Sequence, residues 1–260
     1  MKVLGSMAIA FSMYSKIPMP RTEWTKERME YAMCFFPLVG AVIGGLYMGL
    51  GWLGRMTELS NVTMACLGAA LPIIITGGIH MDGFADTVDA LSSYQPAEKK
   101  LEILKDPHTG AFAIIGIVTY MIVFAGFFGE MSLWQDGKCL TVFAGVPVMG
   151  RAFSGLSVVC FPKAKKSGLA AMFSDGARKG AVAASMAVYL ALSFCWFLFT
   201  GGLWTALILT GAGTAWFGYY YKMSKREFGG ITGDIAGYFL QMEELLLLFA
   251  LTAIIKVGMI

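Results

Sequence analysis

The chain has 260 residues, a mean hydropathy of +0.67 and only 14% charged residues, against about 25% in a soluble globular domain. A net charge of +3 gives no footing for a nucleic-acid partner. The five scattered cysteines, with no C-x-x-C pair and no histidine at ligand spacing, point away from a disulfide framework and from a zinc site. The expected fold class is therefore all-α: a polytopic integral membrane bundle, read as one transmembrane catalytic domain over residues 1–260.

The first apolar run, "VLGSMAIAFSMY", is short. Lys16, two prolines and Arg21 follow it rather than a small-residue cleavage site, so a short amphipathic or partly inserted helix is expected and not a signal peptide. A membrane-crossing helix needs about 20 mostly apolar residues. Seven windows meet that length: 32–53, 61–79, 110–129, 139–161, 180–200, 202–221 and 236–258. About seven spans are expected, within a range of six to eight. Gly, Ser and Thr punctuate nearly all of them, as in "GAVIGGLYMGLGWLG", which suits close helix packing.

Lys and Arg divide unevenly between the two sides. Sixteen fall in the N-terminal stretch and in the loops after the second, fourth and sixth windows; Arg55, Lys138 and Lys256 fall on the other side. The positive-inside rule then puts the N-terminus and those loops in the cytoplasm of an inner-membrane protein. Every aspartate except Asp136 lies on that same side, so a functional face toward the cytoplasm is expected.

After the second window comes "TGGIHMDGFADTVDALS", residues 76–92. Asp82, Asp86 and Asp89 are spaced i, i+4, i+7, which on a helix puts them in a stripe about 60° wide. Like charges so placed repel, and no Lys or Arg stands between His80 and Leu91 to relieve them. Hard oxygen ligands of this kind suit Mg²⁺, which often bridges carboxylates to substrate phosphates. Gly77, Gly78 and Gly83 would let a ligand approach the backbone. A solvated helix end is the plain alternative for the stripe. His80 reads equally as a general base and as a helix-end histidine bonded to a carbonyl.

Further along, Arg151 lies inside the apolar run "AGVPVMGRAFSGLSVV" and Glu243–Glu244 inside "LQMEELLLL". An intramembrane arginine faces a cavity or a partner; holding diphosphate oxygens and pairing with a buried glutamate are both open to it. The cluster Lys163, Lys165, Lys166 suits phosphates or anionic lipid headgroups. "REFGGITGDIAG" sets Gly229, Gly230, Thr232 and Asp234 just before a helix, either as a phosphate or ribose site or as an interhelical turn.

The stretch "GGIHMDGFADTVDAL" resembles the signature of the cobalamin synthase family, the adenosylcobinamide-GDP ribazoletransferases. The likeness continues in chain order through "SKIPMPR", "FPLVGAVIG", "EILKDPHTGAFAIIGI", "GRAF", "KKSGLAAMF" and "GGITGDIAGYFLQMEELLLL", and covers nearly the whole chain. It implies a membrane-embedded, Mg²⁺-dependent transferase. Such an enzyme joins adenosylcobinamide-GDP to α-ribazole, or its 5′-phosphate, giving adenosylcobalamin, or its phosphate, and GMP. The roles that follow are Asp82, Asp86 and Asp89 on the metal, with one of them or His80 as base, and attack by the α-ribazole 5′-hydroxyl. Lys105, Asp106, Arg151, Lys166, Gly229, Gly230, Thr232 and Asp234 are expected to bind substrate. Trp24, Phe35, Phe36 and Tyr238 are candidates for the corrin ring, and a homo-oligomer is left open.

Two further classes compete. Another membrane phosphotransferase or a prenyltransferase would act on a diphosphate-linked lipid. The "D-x-x-D-G-x-x-A-R" pattern of the first is not matched here, and a second D-x-x-x-D block for the other is missing. A cation transporter would want acids near the middle of several helices, whereas most acids here gather at one face.

Overall fold

The computed structural model describes residues 2–131, 137–165 and 168–260 and is helical throughout its regular structure. Among the described residues the helices are α1 (Lys2–Tyr14), α2 (Lys26–Ala32), α3 (Phe36–Thr57), α4 (Asn61–Thr76), α5 (Ile79–Ser92), α6 (Ala97–Ile103) and α7 (Ala111–Glu130). There follow α8 (Lys138–Phe143), α9 (Val146–Cys160), α10 (Leu169–Gly176), α11 (Lys179–Gly201), α12 (Leu203–Phe228) and α13 (Gly233–Lys256). The protein is a polytopic helical membrane protein.

Five helical stretches are long and apolar enough to cross a membrane, and six if α4 and α5 together count as one broken span. The seven windows expected from the sequence differ from this in two places. The window 61–79 stops at Thr76, because Gly77 and Gly78 both take left-handed backbone angles (φ +66° and +81°). Such angles end a helix and are open to glycine at little cost. The chain restarts as α5 at 100° to α4. The window 202–221 is part of the 26-residue α12, whose tyrosines and glycines leave it outside the five apolar stretches. The first apolar run does form a short helix, α1.

At the centre lies the α8–α9 stretch, the most buried of the five. Glycines on α3 let it approach: a Cβ on Gly40 or Gly44 would collide with the carbonyls of Pro147 or Ala144. Tyr47, Phe124, Phe128 and Phe143 pack ring against ring in the same core, with centroids 5.1–6.4 Å apart, the spacing of favourable aromatic pairs. Opposite ends of the bundle are chemically distinct. At one end Lys256 pairs with Glu130 and Arg55 lies beside Gly137. At the other, α5, the start of α7, the 161–165 loop and the turn before α13 come together.

Candidate functional site

The site is built where α5 crosses α13. Gly83 and Gly237 make the crossing close: a Cβ on Gly83 would stand 2.7 Å from the Asp234 Cα, and one on Gly237 2.8 Å from the His80 carbonyl oxygen. Gly83 thus admits a neighbouring backbone, not a ligand as the sequence suggested. Gly77 is likewise filled from within the chain, by the Lys16 side chain, and the Lys16 backbone N–H donates to the Ile75 carbonyl at 2.7 Å.

The aspartates fall as the spacing requires. Asp82 is exposed and Asp86 and Asp89 are partly so; Asp82, Asp89 and Asp234 all lie within electrostatic reach of Asp86. Asp234 is positioned by a capped helix start. The Thr232 hydroxyl accepts from the Ile235 N–H at 3.3 Å and donates to Asp234 Oδ2 at 3.2 Å, the geometry of an N-cap. Asp89 is engaged otherwise: its Oδ1 accepts from the Ala113 N–H of α7 at 3.3 Å.

The turn before α13 is stitched to the loop after α9. Ile231 N–H donates to the Pro162 carbonyl at 2.8 Å and Ala164 N–H to the Ile231 carbonyl at 3.0 Å. Gly230 is buried there, with Pro162 against its α-carbon, while Gly229 stays exposed. This pairing carries Lys165 to Asp234. Burial pulls the Lys165 ammonium below the usual lysine value; the Asp234 carboxylate opposes that shift, and the like charge of Lys105 adds to it. Among the described residues, Lys165 is therefore the lysine of the cluster that reaches the site. Lys166, the member of the cluster expected at the site from the sequence, lies outside the described residues. Lys163 is taken up by Asp175.

Three expected site residues are engaged or buried rather than open at the face. Asp106 is exposed and turned to His108, accepting from its N–H at 2.9 Å and meeting its ring Nδ1 at 2.6 Å; those bonds hold its carboxyl below the usual carboxylate range. Arg151 is fully buried, donating to Glu244 Oε1 at 2.9 Å and to the Pro147 carbonyl at 3.0 Å. It occupies the bundle interior, so the ion-pair reading describes its contacts and the diphosphate reading does not. His80 is also buried. It stacks on Tyr14 at 6.0 Å, and its Nε2 has no partner. The ring lines a cavity of about 140 Å³ that also touches Asp82, Asp234, Ser154 and Phe36, so it sits beneath the carboxylates.

Among the described residues no group of three or more His, Cys, Asp or Glu side chains is placed to hold a metal ion by itself. The donor chemistry nevertheless fits Mg²⁺, which usually takes one or two carboxylates and completes its octahedron with waters and substrate phosphates. Asp82, Asp86 and Asp234 are hard oxygen donors around an open face, with Lys165 and Lys105 nearby as counter-charges. Such a face suits an anionic, phosphate-bearing ligand bound through a cation.

Residues 6–252 match the family model for cobalamin-5-phosphate synthase. The chain is 46% identical over 246 residues to an adenosylcobinamide-GDP ribazoletransferase of Lachnoclostridium phytofermentans, covering 95% of this chain and 92% of that protein. It is 34% identical over 238 residues to one of Clostridium perfringens strain 13, covering 91% and 92%. One of Desulfitobacterium hafniense strain Y51 is 29% identical over 251 residues, covering 95% and 96%. No solved structure matches. The chain belongs to the cobalamin-5-phosphate synthase family.

Proposed function

We propose that this family member transfers the corrinoid phosphate of adenosylcobinamide-GDP to α-ribazole or α-ribazole 5′-phosphate, with Mg²⁺, at the inner membrane and from its cytoplasmic face. The observation that carries the reading is the meeting of the α5 aspartates with Asp234 and Lys165 across the Gly83–Gly237 crossing. The relatives' printed names support the same substrates.

In the reaction an acceptor oxygen forms a bond to the corrinoid-side phosphorus, the bond from that phosphorus to the bridging oxygen breaks, and GMP departs with the bridging oxygen. An acceptor already phosphorylated at its 5′ position has no free 5′-hydroxyl, so the attacking oxygen is one of the ribose ring hydroxyls. This corrects the 5′-hydroxyl expected from the sequence. The hydroxyl proton passes to a carboxylate of the stripe or to His80 Nε2, whose buried and unpartnered position leaves it free to accept from a group entering the cavity. Lys165 and Lys105 hold phosphate oxygens. Mg²⁺, when bound, supplies charge neutralisation at the nonbridging oxygens and the leaving phosphate. Positioning and electrostatics thus make up nearly all that the protein must provide.

The test is GMP release by purified protein in liposomes, given both substrates and Mg²⁺, against folded Asp86→Asn. GMP that requires both substrates and metal, with a loss of about 100-fold or more in the variant, is expected. Undiminished release by Asp86→Asn would remove the stripe from the mechanism. An inactive but well-folded wild type would sink the assignment, and diphosphate-linked lipids would then be the substrates to try.

A further inference from the structure

We infer that Asp89 is a positioning residue, which caps α7 from the neighbouring α5 and leaves Asp82 and Asp86 as the members of the stripe free to meet the cation, together with Asp234 across the crossing. The inference rests on the proposed reaction for its catalytic arm only.

An α-helix opens with backbone N–H groups that have no intrahelical partner, and in an apolar setting each is costly to leave unmade. α7 has no acceptor of its own for them. Its N-cap is Gly110, in extended backbone (φ −79°, ψ 167°) and without a side chain, and the next four residues are Ala111, Phe112, Ala113 and Ile114. A capping side chain ordinarily bonds the N–H of the second or third helical residue. Asp89 Oδ1 takes that place, accepting from Ala113, the third residue of α7, at 3.3 Å. The position before the helix is fitted to this arrangement, since a Cβ on Gly110 would collide with the Asp89 carboxylate. A carboxylate there also faces the positive end of the α7 dipole.

The other stripe members are not so engaged. Neither the Asp82 nor the Asp86 side chain hydrogen-bonds to another described residue. Asp82 and Asp234 share the cavity beneath the face, whereas Asp89 lies toward the far end of α5 from His80. Asp89 therefore anchors that end of α5 to α7, and the Gly83–Gly237 crossing anchors its beginning to α13. With both ends held, α5 presents Asp82 and Asp86 in one orientation.

The experiment compares Asp89→Asn, Asp89→Thr and Asp89→Ala, with Asp86→Asn as reference, in detergent. Asn and Thr can cap a helix and Ala cannot. Asp89→Ala is expected to lower the Tm by about 2–4 °C, and Asn or Thr to restore at least about half of that. In the catalytic arm, the Mg²⁺ concentration for half-maximal GMP release stays within about twofold of wild type in Asp89→Asn and rises about tenfold or more in Asp86→Asn. Asn and Thr no more stable than Ala would overturn the cap, as would an Ala variant as stable as wild type. So would a metal requirement in Asp89→Asn raised as far as in Asp86→Asn. Should wild type release no GMP, the proposed reaction fails, and the stability series still decides the role of Asp89.

Discussion

Gly83 of α5 and Asp234 of α13 meet so closely that a single added carbon at 83 would lie 2.7 Å from both the Cα and the carbonyl oxygen of Asp234. Two helices far apart in sequence are thereby locked at the point where the α5 carboxylates and Asp234 come within electrostatic reach of one another. A methyl group at 83 would have to push α13 away and carry Asp234 with it.

Gly83→Ala is accordingly expected to cost about 1–3 kcal/mol of stability, the usual range for overpacking, and to lower GMP-forming kcat by about tenfold or more through misplacement of Asp234. Gly49→Ala is the matched control, because a Cβ there meets nothing within 4 Å. Thermal unfolding in detergent and steady-state turnover check both. Equal behaviour of the two variants would show that the crossing does not set the site.

The Arg151–Glu244 pair has both side chains about 1% exposed. Removing one partner strands a buried charge, which costs about 3–5 kcal/mol, whereas replacing both with neutral residues of similar size is often close to neutral. Arg151→Met should therefore reduce folded yield sharply, and the double variant Arg151→Met, Glu244→Gln should recover much of it. Unfolding in mixed micelles reads the difference. A double variant no better than the single would mean that Arg151 does more than balance Glu244.

Lys165 gives a pH signature. Its pKa in the folded protein lies below the ordinary 10.5, so between those two values the unfolded chain binds the extra proton and stability rises with pH. Binding runs the other way: phosphate needs the ammonium form, so KM for the phosphate-bearing substrates should start to climb at a pH below 10.5. Lys165→Arg, which stays charged, should flatten that rise. Asp106→Asn, altering a group turned outward to His108, should leave the profile as it is. KM against pH for the three proteins settles the matter.

The membrane class and the shared face of the three aspartates were legible in the sequence, because hydropathy and helical spacing are local properties. The fourth carboxylate was legible only as a candidate. Asp234 joins the stripe through two glycines that touch across α5 and α13, and small residues carry no periodic signal of their partners. The same limit separates Lys163 from Lys165: the first pairs with Asp175 and the second lies beside Asp234, and a run of like residues does not reveal which of its members meets which carboxylate. Asp89 looked equivalent to Asp82 and Asp86 because spacing alone defines the stripe. Its bond to Ala113 depends on how the loop from α5 returns to α7. Arg151 carried two readings until Glu244 was found opposite it.

The break at Gly77–Gly78 has a bearing on how the protein is made. α5 turns away from α4 at 100° and leans on α7 and α13, with the Asp234 turn as its closest neighbour. During synthesis α5 leaves the ribosome early and α13 only after the other twelve described α-helices. Until α13 arrives, three like charges are held on a limb with no glycine-lined groove to receive it. The meeting of the α5 aspartates with Asp234 thus comes into being only once α13 has been made, and a nascent chain interrupted before α13 would reach the membrane without it.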